Sequence, residues 1–327
     1  MTTPRDLVGR VALVAGATRG AGRGIALGLA ERGATVYCTG RSTRADAGRS
    51  AEAARTTPLE LARRPETIEE TAALVDARGG RGIAVRCDHT DEADVTALVA
   101  RIAADHGRLD LLVNDVWGGD ALIAHGRPLW ELSIADARLL LERGVVSHLL
   151  TARHAVPLVL RSDRGLVVEI TDGDDLSYRG NALYDLVKTS AIRLAFALAE
   201  ELRPHGAAAV AVTPGFLRSE AMLDLFEVTE ATWRDGVARD PHFAASESPL
   251  LVGRAVAALA ADPAILTRSG GLFSSWELAA AYDLVDADGT RPDWGGYAAA
   301  HPFRAAQRAS HDRFLAGVHD ARRRRTE

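Results

Sequence analysis

The chain has 327 residues, of which 47% are apolar and 25% charged, with a net charge of −5. That length and apolar content allow one large doubly wound domain with insertions, and the slightly acidic balance excludes the basic face of a nucleic-acid binder. No apolar run reaches membrane-span length, and Met1 to Arg10 carries charges where a secretory leader would be apolar, so a cytoplasmic enzyme is expected.

Short runs rich in Val, Ile, Leu and Ala alternate with helix-length amphipathic segments. A strand is expected at 11–15, then a helix at 20–31 and a strand at 34–38. An insertion rich in Ala, Arg, Ser and Thr follows at 42–64. A helix at 66–77 is bracketed by Pro65 and by Gly79-Gly80. Next come a strand at 82–87, a helix at 91–104 and strands at 109–113, 166–170 and 208–212, with a long helix at 182–202 before the last. Runs this continuously apolar suit strands covered on both faces, and their repeated alternation with helices predicts an α/β fold with a doubly wound parallel sheet of the Rossmann type. The expected unit is a single domain, 1–274, with a C-terminal extension, 275–327. The aromatic residues Trp276, Tyr282, Trp294 and Tyr297 predict that this extension packs on the domain or on a neighbouring subunit. The four arginines at 322–325 read as a solvated tail. Cys38 and Cys87 fall in strand runs and read as buried, inert thiols. The ten histidines show no metal-ligand spacing, so no metal is expected.

The first strand runs into Gly16-Ala17-Thr18-Arg19-Gly20-Ala21-Gly22. Strand, glycine-rich turn and helix start together make a pyrophosphate site, because glycines let phosphates approach and the helix end offers free N–H groups. Further on, Tyr184 and Lys188 stand at i and i+4 on the long helix, with Cβ atoms about 6 Å apart. Reduction of a carbonyl needs a proton for the developing alkoxide, and an ammonium beside a phenol is expected to lower its pKa.

The Gly-x-x-x-Gly-x-Gly spacing, followed at this distance by Tyr-x-x-x-Lys, resembles the short-chain dehydrogenase/reductase superfamily over roughly Gly9 to Leu223. The run Gly22 to Leu27 and Arg41 resemble the subgroup that contains dehydrogenase/reductase SDR family member 1. The resemblance implies a nicotinamide dinucleotide and a carbonyl or alcohol substrate of small size. In such proteins an acidic residue after the second strand favours NAD; here the strand ends Thr39-Gly40-Arg41, and Arg19 adds a second guanidinium, a pair suited to the 2′-phosphate of NADP(H). The resemblance further implies cofactor contacts from Gly16, Thr18, Gly20, Gly22, Asp88, Asn114, Pro214, Gly215 and Ser219, besides Tyr184 and Lys188. It implies a homodimer or homotetramer through helices at about 131–159 and 182–202, and no nucleic-acid or membrane partner.

Three features depart from the family pattern. The turn after Asn114 reads Asp115-Val116-Trp117. The expected serine before the tyrosine is replaced: Thr171 or Asp172 takes its role, with Ser177 a more distant hydroxyl. An ionised aspartate can only accept hydrogen bonds, so Asp172 would have to be protonated to donate one. The family asparagine falls near Gly144; His148, one turn on, reads as a satisfied helix histidine. A segment at 220–248, with Phe226, Trp233 and Phe243, is expected to form a substrate lid. The altered residues also admit a different class of function, a dinucleotide-binding sensor or scaffold, or a dehydratase or epimerase on the same fold.

Overall fold

The computed structural model of the chain describes residues 4–46, 64–124 and 126–323. Seven strands form one parallel sheet in the order β3-β2-β1-β4-β5-β6-β7. They are β1 (Val11–Ala15), β2 (Thr35–Gly40), β3 (Arg81–Arg86), β4 (Leu111–Asn114), β5 (Leu166–Ile170), β6 (Ala208–Thr213) and β7 (Leu272–Ser274). The connecting helices are α1 (Gly20–Glu31), α2 (Ile68–Ala77), α3 (Glu92–His106), α4 (Ile134–Leu141), α5 (Ser147–Val159), α6 (Ala182–Leu202), α7 (Glu220–Leu225) and α8 (Pro249–Ala261). After β7 come α9 (Ser275–Ala281), α10 (Trp294–Ala299) and α11 (Pro302–Arg323). The expected doubly wound architecture is therefore present. Strand β7 and helix α8 extend it.

Alternate strand residues serve opposite faces. Ala12, Val14, Val36, Val113, Val168 and Val210 pack under α1 and α8, whereas Val11, Leu13, Leu112 and Val167 pack under α3, α5 and α6. All these residues are almost fully buried, which is why the strands read as unbroken apolar runs. Helices α1 and α8 meet backbone to backbone. A Cβ on Gly24 would overlap the Pro249 carbonyl, and one on Gly28 would overlap Gly253. The repeated glycines of α1 thus serve helix packing as well as the turn before it.

The chain winds outward to β2 and β3 on one side of β1 and to β4 through β7 on the other. The carboxyl ends of β1 and β4 therefore flank the switch point where ligands bind in such sheets. Cys38 and Cys87 are buried free thiols, both pushed up to about 12 by burial, as expected of inert positions. Most of the 42–64 insertion lies outside the described residues, as do the last two arginines of the 322–325 run.

Candidate active site

A cleft of about 940 Å³ opens at the carboxyl ends of the strands. Its floor at one end is the glycine turn. Gly16 has φ +93°, and its Cβ would overlap the Asp115 backbone. A Cβ on Gly22 would collide with the Gly16 carbonyl, so both positions require glycine for the chain to turn this tightly. The amides of Gly16 and Ala17 bond to Thr39 O, at 3.1 and 2.9 Å. The Gly20 amide, at the start of α1, donates to Glu220 Oε2 at 2.7 Å, and Glu220 Oε1 lies 3.6 Å from Arg23 Nε. An anionic oxygen thus already sits on the amide that a diphosphate would meet, and the turn fits a dinucleotide on this ground.

Thr18, Arg19, Arg41 and Asp88 line the same end. Arg19 is tied to Glu66 Oε2 (3.1 Å) and Ser42 Oγ (3.2 Å), and burial holds its guanidinium below its ordinary pKa. Arg41 is half exposed, 3.7 Å from Asp88 Oδ2. Beside it lies Arg143, which donates to Gly118 O at 2.6 Å and lines the cleft. The two expected guanidiniums therefore differ: Arg19 is largely buried and hydrogen-bonded to its carboxylate partner, whereas Arg41 is half exposed, more loosely paired with Asp88, and next to a third cation that the sequence pattern did not mark.

At the other end Tyr184 occupies the first turn of α6. Asn181 caps that helix, its Oδ1 accepting from the amides of Leu183 and Tyr184, each at 3.1 Å. The cap fixes where the phenol emerges. The Tyr184 hydroxyl donates to Asp172 Oδ2 at 2.6 Å. The Thr171 hydroxyl, by contrast, is buried and donates to the Lys188 carbonyl at 2.6 Å. Of the two residues at the family serine's place, Asp172 meets the phenol and Thr171 anchors the helix. Ser177 bonds to Asp175. Asp172 is exposed and its carbonyl is gripped by Arg179 Nε at 2.5 Å.

Lys188 lies over the Trp117 ring, closer to it than to Tyr184. Its Nζ lies 4.1 Å from the centroid of the Trp117 ring and 5.7 Å from that of Tyr184. Burial, reinforced by the charge of Asp172, holds the Tyr184 phenol above its ordinary pKa. Burial holds Lys188 below its own. The direction for the phenol is opposite to the one expected: burial is its largest cause, and the Asp172 carboxylate on the hydroxyl adds to it. Trp117 also explains Gly144. A Cβ there would lie 2.5 Å from Val187 Cγ1 and 3.3 Å from the indole, so an asparagine side chain has no room. The two departures from the family pattern are one packing change, with the indole face carrying the lysine.

Asn114 is fully buried and does not line the cleft. It ends β4 directly opposite Glu169 on β5, and its Nδ2 donates to Glu169 Oε1 at 2.7 Å. His148 Nδ1 meets the other carboxylate oxygen at 2.6 Å, and its Nε2 lies 3.1 Å from Val116 O. His148 is therefore a satisfied buried histidine, as expected. Burial opposes its charged form, but Glu169 outweighs this and holds the imidazole above its ordinary pKa. This network braces the strand ends below Tyr184. A strand-interior Glu among apolar residues was its only sequence signal. Asp115, pushed up to about 7 by burial, lies under the glycine turn.

Pro214, Gly215 and Ser219 line the cleft, and Ser219 Oγ caps α7. Within 220–248, Trp233 and Phe243 are buried edge to face against each other, and the buried Arg218 guanidinium lies 4.2 Å from the Trp233 ring. The residues of that segment that reach the cleft are Glu220, Ala221 and Met222. The extension adds Trp276, Trp294, Phe303 and Gln307 to the lining, with Trp294 seated on Gly215. Among the described residues no cluster could hold a metal ion, and no helix is long and apolar enough to cross a membrane.

A family model described as enoyl-(acyl carrier protein) reductase matches residues 59–268. Dehydrogenase/reductase SDR family member 1 of Mus musculus is 34% identical over 286 residues, 86% of this chain and 84% of that protein. The Homo sapiens counterpart is 33% identical over the same shares. Among solved structures, a putative dehydrogenase from Xanthomonas campestris superimposes with a TM-score of 0.66 at 25% identity, covering 88% of this chain and 94% of the other.

Proposed function

The chain belongs to the short-chain dehydrogenase/reductase superfamily, and from that premise we propose that it interconverts a carbonyl and an alcohol on a small organic substrate with NADP(H). The observation that carries this reading is the meeting of the glycine turn, Tyr184, Lys188 and Pro214-Gly215 on one cleft. The bound dinucleotide would supply the hydride. Gly16, Thr18 and Gly20 would hold its diphosphate, Arg41 with Arg19 and Arg143 its 2′-phosphate, and Lys188 and Ser219 the nicotinamide end.

In the reductive direction Tyr184 Oη donates its proton to the substrate oxygen as that oxygen gains negative charge. A phenol held above its ordinary pKa keeps that proton until then. Asp172, exposed and bonded to the phenol, links it to solvent for reprotonation. In place of a donating serine the site thus has an accepting carboxylate, and the substrate oxygen must take over the phenol's hydrogen bond. Lys188 acts through its positive charge from the face of Trp117. The same reading includes a cytoplasmic homodimer or homotetramer, supported by the exposed Leu149, Leu186 and Phe196 on α5 and α6.

The test is NADPH oxidation with a panel of aldehydes, ketones, quinones and an enoyl thioester. Tyr184→Phe should lower turnover about 10²–10⁴-fold, the usual worth of a general acid, while NADPH still binds. Undiminished turnover in that variant removes Tyr184 from the mechanism. Cofactor binding without turnover across the panel would favour the sensor reading.

A further inference from the structure

We infer that the C-terminal extension forms the substrate wall of the cleft and selects uncharged carbonyl compounds bearing a flat ring; this rests on the carbonyl-reductase reading above. The lining residues it contributes, Trp276, Trp294, Phe303 and Gln307, are all neutral and only partly buried. Aromatic surface left open inside a cleft marks a place where a ligand supplies the missing contact. Trp294 sits at the carboxyl end of β6. A Cβ on Gly215 would lie 2.8 Å from its own Cβ, so glycine there admits the indole against the backbone. Its ring centroid is 5.7 Å from Phe216 and 6.1 Å from Phe303, the latter within 25° of parallel. Trp117 and Tyr184, with centroids 5.8 Å apart, line the same cleft. Flat rings on both sides favour a flat apolar substrate body beside the phenol.

The extension is fixed to the catalytic loop. Ser310 Oγ accepts from the Tyr178 amide at 2.9 Å, and His311 Nδ1 accepts from the Leu176 amide at 3.1 Å. Both amides belong to the segment joining Asp172 to Tyr184, so wall and acid group are held as one body. Charge at this end argues against anionic substrates. Asp120, Asp172 and Asp174 line it. Of the cations beside them, Lys188 is held over the face of the Trp117 ring, and Arg179 is spent on Asp185 Oδ1 (3.0 Å) and on the carbonyls of Asp172 and Asp175 (2.5 and 2.9 Å).

The experiment compares 2-naphthaldehyde, 4-carboxybenzaldehyde and butanal as substrates of the full chain with NADPH, in wild type, Trp294→Ala and Phe303→Ala. The expected order of kcat/KM is naphthaldehyde above the other two. Each variant should raise KM for naphthaldehyde about tenfold, the scale of one lost apolar pocket contact, and raise that for butanal markedly less. Phe303→Leu, which keeps an apolar side chain without the ring, should fall between wild type and Phe303→Ala and guards against misfolding as the explanation. Calorimetric titration of naphthaldehyde into the NADP⁺-loaded protein reads the wall without chemistry. If no carbonyl is turned over yet the ring compound binds and Trp294→Ala weakens it, the reductase reading fails and the wall stands. Equal handling of the carboxylated ring, or an unchanged KM and affinity in both alanine variants, overturns the inference.

Discussion

Removing the Glu220 side chain should tighten dinucleotide binding. The Gly20 amide has one hydrogen to give, and Glu220 Oε2 holds it at 2.7 Å. A diphosphate oxygen seeking that amide must displace the carboxylate. Hydrogen bonds to a charged group contribute about 1.5–3 kcal/mol, and the low end, about 1.5, applies to a side chain that is 24% exposed. A contact of that size leaves roughly one molecule in thirteen with a free turn, so apparent affinity is reduced about tenfold. Glu220→Ala should therefore lower the Kd for NADPH about tenfold by calorimetric titration. Glu220→Gln, which keeps an acceptor and loses the charge, should fall between. Adenosine 2′,5′-bisphosphate has no diphosphate bridge and should bind both proteins alike. Unchanged or weaker NADPH binding in Glu220→Ala would refute the competition.

Three further outcomes follow from the site. Arg41→Ser should weaken NADPH about tenfold and leave NADH nearly unaffected, since a charge-assisted contact to the 2′-phosphate is lost; equal losses for both cofactors would place Arg41 elsewhere. Asp172→Ser removes a charge that raises the Tyr184 pKa, so the rising limb of the pH profile for alcohol oxidation should move to lower pH, and an unmoved profile contradicts the pairing. Glu247, whose Oε1 is buried without a partner, is pushed up to about 8 from 4.5 by burial. A raised carboxyl pKa means the folded state holds a proton the unfolded state has released, so its contribution to stability falls by about 1.4 kcal/mol per pH unit between those values. The thermal midpoint of Glu247→Gln relative to wild type should thus climb as pH rises through that window; a constant difference would contradict it.

The legible parts of the chain were those whose meaning is local. A glycine turn after a strand, a Tyr-Lys pair one helical turn apart and continuous apolar strands each declare themselves within a few residues. Strand β7, three residues long, and α8, apolar along most of its length because it packs backbone to backbone on α1 within one buried cluster, carry no such period. Asn114 was expected to face the cofactor; strand register sets it opposite Glu169, whose buried carboxylate accepts from its Nδ2, while its Oδ1 is buried without a partner. The reading of Thr171 and Asp172 stayed open for a related reason. Both follow β5, and only the position of α6 decides that one hydroxyl reaches the Lys188 carbonyl while the neighbouring carboxylate reaches the phenol.

From the sequence alone came the doubly wound class, the dinucleotide turn and the helix that carries Tyr184, because each is written in neighbouring residues. The tertiary structure decided the rest. It joined Trp117 to Gly144 as one packing exchange, placed the extension's aromatics over the cleft and brought Glu220 onto a turn 200 residues earlier in the chain. Such contacts form where separate strand ends converge, and strand order and register, unlike helical or turn periodicity, are set only when the sheet has assembled.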